Sequence, residues 1–169
     1  VDSPDPQNIP GELLVRGANV FLGYYKNEEA TREVLDADGW LHTGDMGIID
    51  ADGYLFLRGR SKCMILGPSG QNIYPEEVEA VLDTRPYVLE SLVIEDNGGR
   101  TALIYPDFDT AAKEGMDQAT FIKYIEDTLP EVNKELPNYA KLKKIEVMSE
   151  AFERTPKKSI KRYLYQRNS

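Results

Sequence analysis

Three segments of this chain carry residue types whose spacing could do chemistry. In Trp40-Leu41-His42-Thr43-Gly44-Asp45, a carboxylate follows a glycine at the mouth of a strand. From there Asp45 can accept two hydrogen bonds from a vicinal diol such as that of ribose. The second segment runs from Gly59-Arg60-Ser61-Lys62 through Leu66-Gly67-Pro68-Ser69-Gly70-Gln71-Asn72 to Tyr74-Pro75-Glu76-Glu77-Val78-Glu79. Here an arginine with a fixed planar fork ends one sheet, a charged residue follows two positions later, and a Gly-rich turn leads into a helix that opens on Pro-Glu-Glu. The third is a basic tail, Arg154-Thr155-Pro156-Lys157-Lys158-Ser159-Ile160-Lys161-Arg162.

Other reactive side chains are poorly placed for catalysis. Asp36-Ala37-Asp38-Gly39 and Asp50-Ala51-Asp52-Gly53 hint at calcium loops but lack the further acids and closing Glu of an EF-hand, so they read as turns. The one histidine, His42, and the one cysteine, Cys63, have no nucleophile or base beside them in sequence and no cluster at zinc spacing. A single cysteine also forms no internal disulfide.

The elements that must position these groups follow from hydrophobic periodicity. Residues 12–17, 47–50 and 54–57 read as short strands around a turn at Asp52-Gly53, a small antiparallel meander. Between the first two, residues 27–35 have an Asn cap, early acids and apolar residues at helical spacing. The second half opens on Met64-Ile65-Leu66 and a turn. A helix over 74–82 follows, with Pro75 in its first turn and Val78, Val81 and Leu82 facing inward. Residues 88–94 and 101–105 read as strands joined by a Gly98-Gly99 hairpin, 117–129 as a helix presenting Phe121, Ile122, Ile125 and Leu129, and 143–148 as a last strand. The expected fold class is α+β: a β meander over 1–60, then a compact domain over 61–169 with helices packed on a mixed or antiparallel sheet. The seam falls near residues 60–62.

The chain has 169 residues, 41% of them hydrophobic, enough for one ordinary core with a smaller appendage. Twenty basic against 29 acidic residues leave a formal charge of −9, which opposes attraction to nucleic acid. No apolar run has the length of a membrane span, and the first residues lack a basic and an apolar targeting region. The single cysteine and the lack of a Cys/His cluster fit a reducing cytoplasm. The opening Val1-Asp2-Ser3-Pro4-Asp5-Pro6 has no Met and leads straight into a strand, as expected of a piece cut from a longer protein.

The second segment resembles the hinge-and-loop motif of adenylate-forming enzymes, the superfamily of acyl-CoA synthetases, peptide-synthetase adenylation domains and luciferases. Thr43-Gly44-Asp45 stands at the expected upstream position, and the resemblance extends over nearly the whole chain. The wording of residues 66–79 is more similar to long-chain fatty acyl-CoA synthetases than to peptide-synthetase domains.

The resemblance implies the C-terminal portion of a ligase that makes acyl-adenylate from fatty acid and ATP, then acyl-CoA from CoA, with Mg2+ accompanying ATP in the full-length protein. It implies that Asp45 holds the ribose hydroxyls with Arg60 beside it, and that Lys62 is the hinge of a mobile C-terminal domain. It further implies that the loop 67–72, with Gly70 and Asn72, approaches the pantetheine. The tail resembles the motif whose lysine stabilises charge at the α-phosphate. Ungapped, Ser159 occupies that lysine's place; Lys158 ranks first as its substitute and Lys161 second, while the alternative is that these lysines only solvate the tail.

The missing large domain would hold the phosphate loop and the acyl pocket, so the isolated chain is expected to be inactive. Possible peripheral membrane contact belongs to the full-length protein. The alternatives are a non-catalytic interaction or regulatory module and a ligase for another carboxylic acid.

Overall fold

The computed structural model describes residues 1–67 and 69–167. The chain forms two compact units, Val1–Met64 and a second from Ile65 onward. The first unit is a three-stranded antiparallel sheet of β1 (Gly11–Val15), β2 (Leu41–Ile49) and β3 (Leu55–Arg60), in that spatial order. Helix α1 (Glu28–Val34) lies between β1 and β2 in sequence; the Asn27 side chain caps it by accepting from the Ala30 amide at 3.0 Å, and none of its residues is buried. The Asp-rich segments are turns. Asp36 Oδ1 accepts the Asp38 and Trp40 amides, Asp50 Oδ1 accepts those of Asp52 and Tyr54, and Gly39 and Gly53 take positive φ.

The middle strand differs from expectation. Rather than starting at Gly47, β2 runs back to Leu41, so Thr43-Gly44-Asp45 lies inside a strand and not at its mouth. Continued pairing with β1, where Leu14 faces His42 and Val15 faces Leu41, carries the strand through Gly44. A register irregularity opposite accommodates the φ of +73° at that glycine.

The second unit starts with a two-stranded ribbon, β4 (Ile65–Leu66) against β5 (Asn72–Ile73), and helix α2 (Pro75–Leu82) with proline in its first turn. Strands β6 (Val88–Asp96) and β7 (Gly99–Pro106) form a hairpin. Its two-residue loop is Asn97-Gly98, both at positive φ, one position earlier than the expected Gly98-Gly99, because this loop type needs left-handed backbone at both central residues.

Three helices follow: α3 (Phe108–Lys113), α4 (Gln118–Glu126) and α5 (Leu129–Glu135). The periodicity of 117–129 predicted one helix. It ends at Glu126 because Pro130 has no amide to extend the ladder and instead sits in the first turn of α5. Leu129 therefore reaches the core from a different helix than Phe121 and Ile125. Strand β8 (Lys144–Val147) joins β7 in parallel, giving a mixed sheet of order β6-β7-β8.

Side chains alternate across this sheet with the period of two that strands impose. Val93, Ala102, Ile104 and Ile145 face the helices, where Val78, Leu82, Phe121, Ile125 and Val132 close the main core. Leu92, Ile94 and Leu103 point the other way. Both faces are apolar, so both need cover, and the second is covered by the tail: Phe152, Ile160 and Tyr165 pack on it, with Phe152 and Tyr165 edge to face at 5.0 Å.

Candidate functional site

The expected site residues fall in both units. In the first, Asp45 and Arg60 are cross-strand partners on β2 and β3, and Arg60 Nε lies 3.0 Å from Asp45 Oδ1. The Asp45 side chain keeps 33% of its surface exposed, so its carboxylate is both held and reachable. The backbone that presents it is fixed by side-chain bonds: Thr43 Oγ1 donates to the Leu13 carbonyl at 2.8 Å and accepts the Asp45 amide at 3.0 Å. Lys62 is exposed in a single 3-10 turn, Ser61–Cys63, directly after β3.

Glu12, not singled out from the sequence, is the organiser of this stretch. One carboxylate oxygen accepts the Gly44 amide at 2.9 Å and the other sits 2.9 Å from His42 Nδ1. Asp36 lies 3.7 Å from the opposite ring nitrogen, Nε2. Hydrogen bonding to Glu12, reinforced by the charges of Glu12 and Asp36, raises the His42 pKa above its ordinary value. His42 thus clamps the strand, tied to Glu12 on one ring nitrogen and facing Asp36 on the other.

In the second unit, Gly70 and Asn72 belong to the β4–β5 ribbon and its turn, within which Pro68 lies outside the described residues. Gly67 donates to the Gln71 carbonyl and Gly70 to that of Gly67. Gly70 has a φ of +81° and open space where a Cβ would stand, so backbone conformation rather than crowding calls for glycine. Asn72 is exposed and pairs with Leu66.

The basic tail folds as a small hairpin. Arg154 bridges Ile160, the Thr155 amide donates to the Ser159 carbonyl, and the Lys158 amide donates to that of Thr155 at 2.8 Å. Lys158 is exposed with a φ of +64°, the left-handed residue such a turn requires. Lys161 differs: its ammonium is 3.0 Å from Glu153 Oε2, and that bond raises its pKa. Lys158 thus projects from the tip while Lys161 is engaged within the tail.

Two ion pairs pin the hairpin, and sequence reasoning did not anticipate either. Arg154 meets Glu90 at 2.7 Å on β6. Arg162 grips Glu79 of α2 through both terminal nitrogens, at 2.8 and 2.5 Å. Glu79 is only 7% exposed and also accepts the Val93 amide at 2.7 Å. Burial pushes its pKa up, against the pull of Arg162. The sequence signal was an acid beside Val78 on an inward helix face; its partner 83 residues away was not legible.

Among the described residues, no group of three or more His, Cys, Asp or Glu side chains is placed to hold a metal ion. No helix among them is long and apolar enough to cross a membrane.

A unit of helices on a mixed sheet, preceded by a strand meander, is the fold this chain shares with the C-terminal region of adenylate-forming enzymes. Residues 64–168 match the AMP-binding enzyme C-terminal domain, and the chain belongs to that family. Over 89 residues it is 48% identical to a 2-succinylbenzoate–CoA ligase of Bacillus cytotoxicus, covering 53% of this chain and 18% of the relative. A long-chain-fatty-acid–CoA ligase of Gallus gallus is 36% identical over 105 residues, 62% of this chain and 14% of that protein. Among solved structures, the o-succinylbenzoate CoA synthetase of Bacillus subtilis in complex with its acyl-adenylate intermediate superposes with a TM-score of 0.73 at 27% identity, covering 96% of this chain and 31% of that one. The chain therefore spans less than a fifth of the length of these two curated relatives.

Proposed function

We propose that this chain supplies the nucleotide-holding end of the large domain, residues 1–60, and the mobile C-terminal domain, residues 61–169, of an ATP-dependent fatty acid–CoA ligase. The carrying observation is the Asp45–Arg60 pair, a reachable carboxylate fixed at 3.0 Å by an arginine on the neighbouring strand, just ahead of Lys62. A carboxylate held in that way can accept both hydroxyls of a ribose, and the guanidinium beside it sets its orientation.

In the first step a carboxylate oxygen of the acid bonds to the α-phosphorus of ATP and the bond to the β-phosphate breaks, releasing pyrophosphate. In the second, the CoA thiol bonds to the acyl carbon, AMP leaves and the thiol proton passes to solvent. Lys158, exposed at the tip of the tail hairpin, meets the charge that builds in the first step. Gly70 and Asn72 face the pantetheine in the second. Lys62 is the pivot between the two arrangements, a few residues at a seam being enough to absorb a domain rotation. Mg2+ would accompany ATP in the longer protein, bound mainly through the phosphates with few protein carboxylates.

Relatives that act on succinylbenzoate and on long-chain fatty acids are both similar to this chain, and the selecting pocket lies outside it. The fatty acid reading rests on the wording of residues 66–79. ATP–pyrophosphate exchange by the full-length protein over a panel of carboxylic acids tests it: exchange that needs long-chain acids supports it, and exchange restricted to aryl or short acids moves the substrate. A second reading, a non-catalytic module, is favoured by Ser159 in the place of the lysine, and predicts no exchange with any acid. The isolated chain is expected to form no acyl-CoA.

A further inference from the structure

We infer that Arg162 and Glu79 form an internal latch that makes the β4–β5 ribbon and the tail hairpin one rigid body, so that Arg162 is a positioning residue for Lys158. The inference rests on the proposed role of that hairpin in adenylation.

Three observations carry it. First, Glu79 is placed by α2, the helix that begins two residues after β5, and so inherits the position of the ribbon carrying Asn72. Second, Glu79 is nearly buried and takes two hydrogen bonds from Arg162 and one from the Val93 amide of the central sheet, while Glu76 on the same helix stands farther off, 3.8 Å from the guanidinium. Planar two-point pairing fixes angle as well as distance, which a single ammonium contact does not. Third, the hairpin is gripped on both arms, Arg154 on Glu90 before the turn and Arg162 on Glu79 after it. The Arg162 pair is the deeper of the two, with side chains 25% and 10% exposed against 42% and 19%. Losing one partner of a well-buried pair leaves the other charge uncompensated, and the tail is the element free to leave.

The latch thus ties together the loops assigned to the two half-reactions. Loosening it releases the hairpin and leaves the ribbon, held by its own strand pairing and by Ile65 and Ile73 in the main core, in place.

Hydrogen exchange on this chain tests the latch directly, comparing the parent sequence with Arg162→Lys and Glu79→Gln. Glu79→Gln keeps the side-chain size and an acceptor for Val93. The amides of Thr155, Lys158 and Lys161 are expected to exchange at least about tenfold faster in both variants, while β7 amides such as those of Leu103 and Ile104 are unchanged. Unchanged tail protection in both variants overturns the inference. Acceleration of tail and β7 together in both also overturns it, because the pair would then hold the core rather than the hairpin.

In the full-length protein, Arg162→Lys is expected to lower pyrophosphate exchange while thioester formation from added acyl-adenylate is retained. It is also expected to shrink the effect of Lys158→Ala made in the same background. If the tail loosens in this chain but exchange is unaffected, the latch stands and the adenylation role of the hairpin falls.

Discussion

Arg60 and Asp45 face each other directly across β2 and β3, bonded through Nε and Oδ1, so the side chain of the candidate ribose acceptor is oriented by the neighbouring strand. Lysine at position 60 would keep the charge but lose the fixed fork. In the full-length protein, Asp45→Asn and Arg60→Lys are each expected to weaken ATP use by roughly tenfold to a hundredfold, the range for losing a hydrogen bond to a charged group. Steady-state kinetics at varied ATP check this. Unaltered kinetics in both variants would remove the pair from the nucleotide site.

A second expectation concerns the only histidine. Glu12 and Asp36 flank His42 on its two ring nitrogens and raise its pKa. A histidine whose pKa is raised by folding contributes stability that is complete below the unfolded value and is lost as pH rises through the folded one. The order of Thr43-Gly44-Asp45 should therefore relax as pH rises through the raised folded-state value, since the carboxylate that pairs with the ring also holds the Gly44 amide. Proton NMR gives a single imidazole titration to follow. It should lie above the ordinary histidine value and move down in Glu12→Gln; a titration unmoved by that change would show that Glu12 does not hold the ring.

Lys158 separates charge from backbone. Its left-handed conformation costs a side-chain-bearing residue about 1 kcal/mol relative to glycine. Lys158→Gly should thus stabilise this chain by no more than about 0.5 kcal/mol, once glycine's greater unfolded freedom, about 0.5–1 kcal/mol, is set against that gain. Lys158→Ala should leave stability nearly unchanged. Both should depress exchange in the full-length protein equally if the ammonium is what matters there. Denaturant unfolding of the chain and exchange by the longer protein distinguish a turn residue from a charge-stabilising one.

How far these features were legible depended on the range of the interactions behind them. The meander, α2 with Pro75 in its first turn and the β6–β7 hairpin rest on local patterns of two to four residues, and they could be read directly. The neighbouring of Asp45 and Arg60 was implied by the family resemblance, whereas periodicity left both just outside the strands that carry them. The break between α4 and α5 was marked by Pro130 but overridden by the apolar spacing of Phe121, Ile125 and Leu129, all of which do reach the core. What could not be read were the contacts that close long loops. Glu12 meets His42 30 positions on, and Glu79 meets Arg162 83 positions on; no periodicity in either partner encodes the other. The tail was read only through its lysines, as a charge-stabilising motif or else a solvated run, while its covering role depends on the spaced Phe152, Ile160 and Tyr165.

Acid stability offers the last expectation. Arg167 reaches from the end of the tail to Glu146 on β8 and Asp96 on β6, at 2.5 and 2.9 Å, spanning the sheet edge to edge. Its hydrogen bonds, with a further one from Lys144, hold the Glu146 pKa at about 2. A carboxylate depressed by folding adds stability that is present above its unfolded value and lost as pH falls through the folded one, so this contribution disappears between the ordinary glutamate range and about pH 2. Arg167 is 42% exposed, which lets salt screen part of the effect. Arg167→Ala should shift the acid unfolding midpoint of the chain to higher pH, followed by circular dichroism, and the shift should shrink in concentrated salt. A midpoint indifferent to Arg167 would mean that Lys144, 2.8 Å from Glu146, is sufficient to keep that carboxylate charged.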